Sequence, residues 1–318
     1  MRPTIHLRPV GAPPAAGPIP LAALRLRRSL AWPVGQAEVV LSPAVEPPEA
    51  GAKLQISGAS GSGQARPLFT GRLLRRQVGS WGTRLLIEEA TGPLARLHTD
   101  RAVRSTTAAK LISELCQEAG VPAVVEPPGA TLPAYALHFG PSGMDHILRL
   151  AAISGLLVRT DTAGQLRVES PLPTPVATLR REDPVIDYQA EDGPDDPPGT
   201  RLTGDGAMGA RGPGAESWLL QSLEAVAAGD GSHSRHMPGL KTAADVTRAA
   251  ATLALRAKES SHRRHLVLAG LPPADLGEAL LLTGFSPAPE PVRLAGITIV
   301  WDAQAGLVTR LELNRIGV

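Results

Sequence analysis

Apolar residues recur at helical spacing most regularly between positions 108 and 119. One face of a helix there would carry Ala108, Leu111, Ile112, Leu115, Cys116 and Ala119. Thr107 can cap the amino end, Gly120 can end the helix, and Pro122 prevents its continuation. The pattern therefore predicts a helix with one buried face, which needs a second apolar surface to pack against.

The stretch from His138 to Ser170 predicts that surface as a helix followed by a hairpin. Ser142 and Asp145 have the spacing of a capping box, and Gly155 suits a left-handed carboxyl-terminal cap. The apolar stripe between them consists of Met144, Ile147, Leu148 and Ala151. The alternation that follows predicts two strands joined by a tight turn, Leu156 to Thr160 and Gln165 to Glu169. We expect both helices and this hairpin to form one α/β module.

Residues 19 to 97 have the pattern of short strands separated by turns. The predicted strands are Leu24 to Leu30, Ala37 to Leu41, Lys53 to Ser57, Leu68 to Gln77 and Thr83 to Glu88. Prolines interrupt Ser42 to Gly51, and Ser57 to Gly63 is a glycine-serine tip. Strands of this length and spacing indicate a small antiparallel barrel or sandwich.

The last part of the chain predicts an acidic linker, a helix and a β-meander. Pro171 to Pro198 is rich in proline and acidic residues, which favours a solvated linker. Lys241 to Ser260 predicts a helix that is capped by Thr242 and carries Val246, Ala250, Leu253 and Ala257 on one face. Four further apolar runs predict the meander: 266–270, 271–283, 296–302 and 306–314.

Composition excludes several classes of protein. The 318 residues are enough for two or three domains, and the single cysteine, Cys116, rules out an internal disulfide. We expect Cys116 to be a small buried apolar residue. A net charge of +2 and 3% aromatic residues do not suggest nucleic-acid binding. The sequence lacks a signal-peptide pattern and a run of 18 apolar residues, which predicts cytoplasmic synthesis and no membrane partner.

One glycine pattern resembles a nucleotide-binding fingerprint. Gly204 to Gly209 fits G-x-G-x-x-G, in which backbone amides approach a pyrophosphate at a helix amino terminus. Arg211 to Gly214 breaks the chain where that helix should run, and no βαβ pattern precedes the glycines. A loop is therefore favoured over a nucleotide site.

Two histidine pairs could in principle hold a metal ion. His233 with His236 and His262 with His265 both have the spacing H-x-x-H, but they stand among polar residues without a helical pattern. Exposed polar loops are favoured. If the second pair enters a strand, a spacing of three directs its side chains to opposite faces.

Adjacent acidic residues provide no catalytic pair. Glu88 and Glu89, like Glu182 and Asp183, would point apart on a strand, and the motifs G-x-S-x-G and H-E-x-x-H are absent from the sequence. We predict that the protein is not an enzyme and has no catalytic residues, metal ligands or cofactor.

The order of the elements resembles that of baseplate hub proteins from contractile phage tails. This family includes the late control protein D proteins and the hub portion of type VI secretion spike proteins. The resemblance rests on Leu68-Phe-Thr-Gly71 in the first strands, on the helix and hairpin of 138–170, and on the closing run from Gly306 to Leu313. The sequence departs from it at Trp301-Asp302, where many relatives carry a histidine.

The resemblance implies an α+β fold that is mainly β, with two small tail-tube-like antiparallel β-barrels and an intervening α/β module. The implied domains are a first barrel at 1–103, the module at 104–171, and an acidic linker, inserted helix and second barrel at 172–318. The resemblance also implies that residues 19–97 and a barrel built from parts of 172–318 superimpose.

The implied function is that of a structural hub in a contractile tail or injection system. A homotrimer would join the hexameric tail tube to the trimeric central spike, with tape measure and baseplate wedge proteins as further partners. The sequence ends without a spike-like domain, so we expect the spike to be a separate polypeptide. Two alternatives stay open: a tail-associated cell-wall hydrolase and a stand-alone ligand-binding β protein.

Overall fold

The computed structural model describes a protein built mainly of strands. The described residues are 4–11, 17–59, 64–194, 199–207, 220–227, 231–237, 239–302, 304 and 306–317. They form twenty strands, three α-helices and one 3₁₀ helix. The predicted α+β, mainly β fold class is thereby confirmed.

The first part of the chain forms a closed six-stranded antiparallel barrel. Its strands are β1 (Thr4–Pro9), β2 (Ile19–Ser29), β3 (Gln36–Leu41), β4 (Lys53–Ala59), β5 (Arg66–Gly79) and β6 (Gly82–Glu89). They follow the order β1-β4-β5-β6-β3-β2, and β1 closes the barrel by pairing with β2. All five predicted strands lie here, although Leu30 falls beyond β2. The predictions missed β1, and residues 60–63 of the predicted glycine-serine tip lie outside the described residues.

The middle module contains both helices that the sequence predicted. Its elements are the 3₁₀ helix Gly92–Ala95, β7 (Arg101–Thr107), α1 (Ala108–Glu118), β8 (Ala123–Val125), β9 (Thr131–Leu137), α2 (Gly143–Ser154), β10 (Leu157–Thr160) and β11 (Leu166–Glu169). Thr107 caps α1 through its side chain, and Ser142 with Asp145 completes a capping box on α2. Gly155 ends α2 in the left-handed conformation at φ 73°. These caps and the β10–β11 hairpin confirm the predictions.

The rest of the chain combines an inserted segment with a second group of barrel strands. Its elements are β12 (Pro175–Arg180), β13 (Val185–Asp192), β14 (Thr200–Ala207), β15 (Leu220–Ala227), β16 (His233–Met237), α3 (Ala243–Ser261), β17 (His262–Leu268), β18 (Ala279–Thr283), β19 (Glu290–Asp302) and β20 (Gly306–Arg315). Thr242 caps α3 as predicted. The inserted segment consists of β14 to β16 and α3. Its three strands form a small sheet in the order β15-β14-β16.

The prediction of an acidic linker at Pro171 to Pro198 was wrong, because this segment contains β12 and β13. The two strands belong to the second group, whose order is β12-β18-β19-β20-β17-β13. Every neighbouring pair in that order is antiparallel except β12 with β18. Most side chains of β12 and β13 are exposed, so the acidic residues remain hydrated on regular strands.

Two hydrophobic cores hold these elements together. The first runs continuously through both groups of barrel strands and includes Leu26, Phe69, Ile299 and Leu311. The second joins α1 and α2 of the module to the inserted segment through side chains such as Leu202 and Val246. The inserted segment thus packs with the middle module, and the domain boundaries at 103 and 171 stay predictions.

Candidate assembly surfaces

A seam of paired backbone joins the two groups of barrel strands into one sheet. Strand β2 pairs antiparallel with β19, in a register that runs from Ser29 opposite Gly296 to Ala23 opposite Asp302. The start of β2 pairs with β1 instead, and the start of β19 pairs with β18. Each long strand therefore exchanges one neighbour for another along its length. The result is a single twelve-stranded sheet.

A buried guanidinium ties three parts of the molecule together beside this seam. Arg28 on β2 donates from Nε to Glu89 Oε1 at 2.9 Å, and its side chain is 2% exposed. It also donates to the Asp275 carboxylate before β18 and to the backbone oxygen of Thr160 in the module. The Gly35 N–H donates to the other Glu89 oxygen at 2.6 Å. One side chain thus contacts the first barrel, the β10–β11 hairpin and the loop between β17 and β18.

The charges in this cluster depend on one another. Burial opposes the positive charge of Arg28, but Glu89 and Asp275 outweigh it and raise the pKa of Arg28. Burial also raises the pKa of Glu89, while Arg28 and the Gly35 N–H act against that rise. Arg159 extends the cluster by contacting Glu169 at 2.7 Å and Asp275 at 3.5 Å. Removing Arg28 would leave two carboxylates without their shared partner, which is costly in a buried setting.

The β5–β6 hairpin projects a surface that is both basic and apolar. Leu74 is 44% exposed, Val78 69% and Trp81 50%, and the intervening Arg75 and Arg76 are also exposed. Large exposed apolar side chains are unremarkable singly, but a cluster of them between cations indicates a contact surface.

The opposite end of the sheet is acidic. On β13, Ile186 is 59% exposed, and the side chains of Asp187 and Glu191 are also exposed. Asp192 at the end of β13 contacts Arg264 at 2.7 Å, and this hydrogen bond lowers the pKa of Asp192. In the described part of the chain, β13 pairs with β17 alone and leaves its other edge open.

The glycine pattern lies partly on a strand. Gly204 is part of β14, which also includes residues 205–207, and the predicted loop is therefore wrong for those positions. Residues 208 and 209 lie outside the described residues. A pyrophosphate site would require the amino end of a helix after this pattern. The next described residues, 220–227, form strand β15 instead.

The histidine pairs also lie on strands instead of the predicted loops. His233 and His236 belong to β16, whereas His262 and His265 belong to β17. The His262 side chain is 3% exposed and that of His265 is 36% exposed, as expected for a spacing of three on a strand. Among the described residues, no group of three or more His, Cys, Asp or Glu side chains could hold a metal ion.

The adjacent acidic residues serve structural contacts. Glu88 forms a bidentate pair with Arg96 at 2.7 Å, while Glu89 contacts Arg28, so the two carboxylates diverge as predicted. Asp183 accepts a hydrogen bond from the Arg180 N–H in the turn between β12 and β13. Sequence reasoning identified these residues but not the Arg28 cluster.

A cavity of about 580 Å³ lies where α2 and α3 face β19 and β20. Its lining mixes apolar side chains such as Leu148 with the charged Arg256, Glu259 and Arg293. Burial lowers the pKa of both arginines and raises that of Glu259. In the described part of the chain, no helix has the length and apolar character needed to cross a bilayer.

No protein-family model matches this sequence, and no curated protein matches it. Several solved structures nevertheless share its fold. A 43 kDa tail protein of prophage MuSo2 from Shewanella oneidensis is 15% identical with a TM-score of 0.72, and the match covers 98% of each chain. A tail protein from Neisseria meningitidis MC58 is 16% identical with a TM-score of 0.73, over 100% of this chain and 98% of the other.

The same fold occurs in a secretion machine. The E. coli protein c3393 is described as a type VI secretion component with structural similarity to the T4 bacteriophage tail proteins gp27 and gp5. It is 11% identical with a TM-score of 0.65, over 98% of this chain and 77% of the other. These three structures are described as tail or secretion proteins and not as enzymes. The likeness therefore agrees with the fold that the predicted resemblance implies.

Proposed function

We propose, from the fold that this chain shares with phage tail proteins, that it is the structural baseplate hub of a contractile tail or injection system. In this proposal a homotrimer joins the hexameric tail tube to the trimeric central spike. Similarity to tail proteins over nearly the whole of both chains supports a structural role in a tail or baseplate. Tape measure and wedge proteins are further proposed partners.

The observation that carries this proposal is the sheet that unites two six-stranded units in one chain. A hexameric tube presents six equivalent positions, whereas a trimeric spike presents three. Three copies of a chain with two units would offer six units to the tube while keeping threefold symmetry for the spike. The work of such a hub is binding, which needs no reactive side chains.

The proposed site of action is an assembled particle. The protein would be made in the bacterial cytoplasm and incorporated into the baseplate of a virion tail or injection machine. The likeness to both tail proteins and a type VI secretion component supports either kind of machine.

A stand-alone ligand-binding protein is the second candidate, because the cavity beside α3 has the volume of a small-molecule site. It predicts a monomer whose melting temperature rises with a bound small molecule. A hub predicts that the same additions leave the melting temperature unchanged while partner proteins alter the mass of the complex.

The proposal can be tested by co-purifying the full chain with the tube and spike proteins encoded in the same gene cluster. Native mass spectrometry should find three copies of this chain with six tube subunits on one side and three spike subunits on the other. Binding to neither protein would contradict the proposal, and clearing of peptidoglycan suspensions by the purified chain would favour the hydrolase alternative.

A further inference from the structure

A histidine is buried in the first half of α2 with only one of its two ring nitrogens hydrogen-bonded. His146 is 1% exposed, and its Nδ1 lies 3.0 Å from the hydroxyl of Tyr135 on β9. Within the described part of the chain, its Nε2 is buried without a hydrogen-bond partner. The arrangement that satisfies most groups has the hydroxyl donate to Nδ1, while the proton of the neutral ring stays on Nε2.

Two aromatic rings of the β9 segment pack against this imidazole. The centroid of the Tyr135 ring lies 5.8 Å away and that of the His138 ring 5.6 Å away, both in edge-to-face geometry. His138 is exposed to water, so it can take up a proton in acid without a structural change. A charge on His138 would then repel a charge on His146.

The other cations near this cluster come from three different elements. They line a cavity of about 310 Å³ beside Tyr135 and His138. They are Arg104 on β7, Arg149 on α2 and Lys241 before α3. A proton on His146 would add a further positive charge beside this group, at a site from which water is largely excluded.

The acidic side chains nearby are already engaged elsewhere. Asp145 accepts hydrogen bonds from the N–H and the hydroxyl of Ser142, at 2.9 Å and 2.7 Å, in the capping box of α2. Asp245 at the start of α3 pairs with Arg248 at 3.2 Å. The buried residues of α1 and residues 92–95 of the 3₁₀ helix are uncharged.

These surroundings favour the neutral imidazole. Burial lowers the pKa of His146 below its ordinary value of 6.5, and the charges of Arg149 and His138 act in the same direction. The backbone of His138 and the carboxylate of Asp145 act against this shift without cancelling it. A second ring proton would also turn Nδ1 into a donor that faces the Tyr135 hydroxyl, so the hydrogen bond between them would have to be remade.

Tyr135 connects this histidine to the inserted segment. Gly239 lies directly on the tyrosine ring, because a side-chain carbon at position 239 would stand 3.1 Å from two of the ring carbons. Met237 and Leu240 are 2% and 1% exposed and belong to the same hydrophobic core as Tyr135. A displacement of Tyr135 would therefore disturb the contact that holds the chain between β16 and α3.

We propose that His146 and Tyr135 form a pH-sensitive joint, which holds the inserted segment on the middle module while His146 is neutral and releases it when His146 is protonated. Release exposes the imidazole to water, where its charge is hydrated. This inference goes beyond the hub proposal and does not depend on it.

The direction of the pH dependence follows from linkage. The released form binds the proton more tightly than the closed form, since burial lowers the pKa of His146 only in the closed form. Closure is therefore fully favoured above pH 6.5 and weakens as the pH falls below it. The opening equilibrium should rise by up to about tenfold for each pH unit, until the pH reaches the lowered pKa of the closed form.

Hydrogen exchange of the full-length protein tests the joint directly. Exchange is compared at about pH 7.5 and about pH 5, after correction for the intrinsic rate of each amide. In acid, the amides of β16 and of the start of α3 should lose about tenfold or more of their protection, while those of β3 in the first barrel keep theirs. His146→Gln cannot take up the proton and should show the same protection at both pH values.

Two further variants separate the joint from general effects of acid. His6→Gln removes a histidine from β1 of the first barrel and should keep the wild-type pH dependence. Tyr135→Phe removes the hydroxyl that favours the neutral ring, so its loss of protection should begin at a higher pH than in the wild type. This variant retains His146 and keeps the test decisive if His146→Gln does not fold.

An NMR titration of the imidazoles provides a second measurement. The pKa of His146 should lie below 6.5 in the wild type and closer to 6.5 in Tyr135→Phe. The joint would be contradicted by equal acid losses in the wild type and His146→Gln, by wild-type protection that does not change with pH, or by a His146 pKa at or above 6.5. These outcomes would leave the hub proposal standing, because that proposal is tested by copy number and partner binding at neutral pH.

Discussion

Arg28 is a charged residue on the buried face of a strand, where its guanidinium joins three parts of the molecule. Leu24, Leu26 and Arg28 alternate with exposed neighbours, so the guanidinium lies on the inward face of β2. Glu89 occupies the equivalent phase of β6 behind Leu85 and Ile87. This phase is readable in the sequence and would have indicated two inward charges. Their mutual contact is not readable, because Glu89 lies 61 residues away from Arg28 and Asp275 lies 247 away.

Replacing Arg28 should destabilise the protein strongly. Arg28→Met removes the shared partner of two carboxylates and should lower the free energy of unfolding by about 3 kcal/mol, as measured by urea denaturation at neutral pH. The matched control is Arg84→Met, which breaks an exposed ion pair with Glu38 and should cost less than about 1 kcal/mol. Equal losses in the two variants would show that the buried cluster is not a structural tie.

The thiol of Cys116 should be almost unreactive in the folded protein. It is buried on α1, as the sequence predicted, and burial raises the pKa of its thiol to about 12. At pH 8 roughly one thiol in ten thousand would be ionised, and only the thiolate reacts. A thiol reagent should label it slowly in native buffer and completely in denaturant. Rapid labelling of the native protein would contradict this burial.

At the scale of elements, the helices could be predicted from local sequence patterns, whereas several strands could not. The caps Thr107, Ser142 and Gly155 act through neighbouring backbone groups, which is why their positions could be predicted. Strand β1 was missed because its inward positions Ile5 and Leu7 give too short an alternation. Strands β12 and β13 were mistaken for a linker because edge strands tolerate proline and keep acidic side chains hydrated.

The capping box of α2 should contribute measurably to stability. Ser142→Ala removes the hydroxyl that accepts from the Asp145 N–H, and should lower the free energy of unfolding by about 1 kcal/mol. Ser142→Thr keeps a hydroxyl and should restore most of this loss. A loss that is the same for Ala and Thr would argue against the cap.

The same substitution should change a titration. The Ser142 side chain and N–H hydrogen bond to Asp145 and lower the pKa of that carboxyl below its ordinary value of 3.8. This stabilisation is present above pH 3.8 and is lost as the pH falls through the folded-state pKa. The stability gap between wild type and Ser142→Ala should therefore narrow in acid, and NMR should find a higher Asp145 pKa in the variant. An unchanged pKa would contradict the hydrogen bonds.

At the scale of the whole molecule, the long-range pairing of β2 with β19 joins the closed barrel and the second group of six strands into one sheet. No local pattern in either strand specifies the other, so this pairing could not be predicted from the residues. The strand pattern of residues 19–97 predicted the first barrel, whereas the second group of barrel strands was implied by the resemblance. The predicted superposition of residues 19–97 with the second unit stays a prediction. In the described residues the second unit differs by its parallel β12–β18 pair and by the absence of pairing between β12 and β13.

The central claim is that this chain forms a trimeric ring of six barrel units. Averaged electron micrographs of the purified protein, with and without its tube and spike proteins, test it most directly. We expect a threefold ring with six lobes, whose mass is three times the chain mass of 33.1 kDa before either partner is added. Monomers that bind neither the tube protein nor the spike protein would contradict the account.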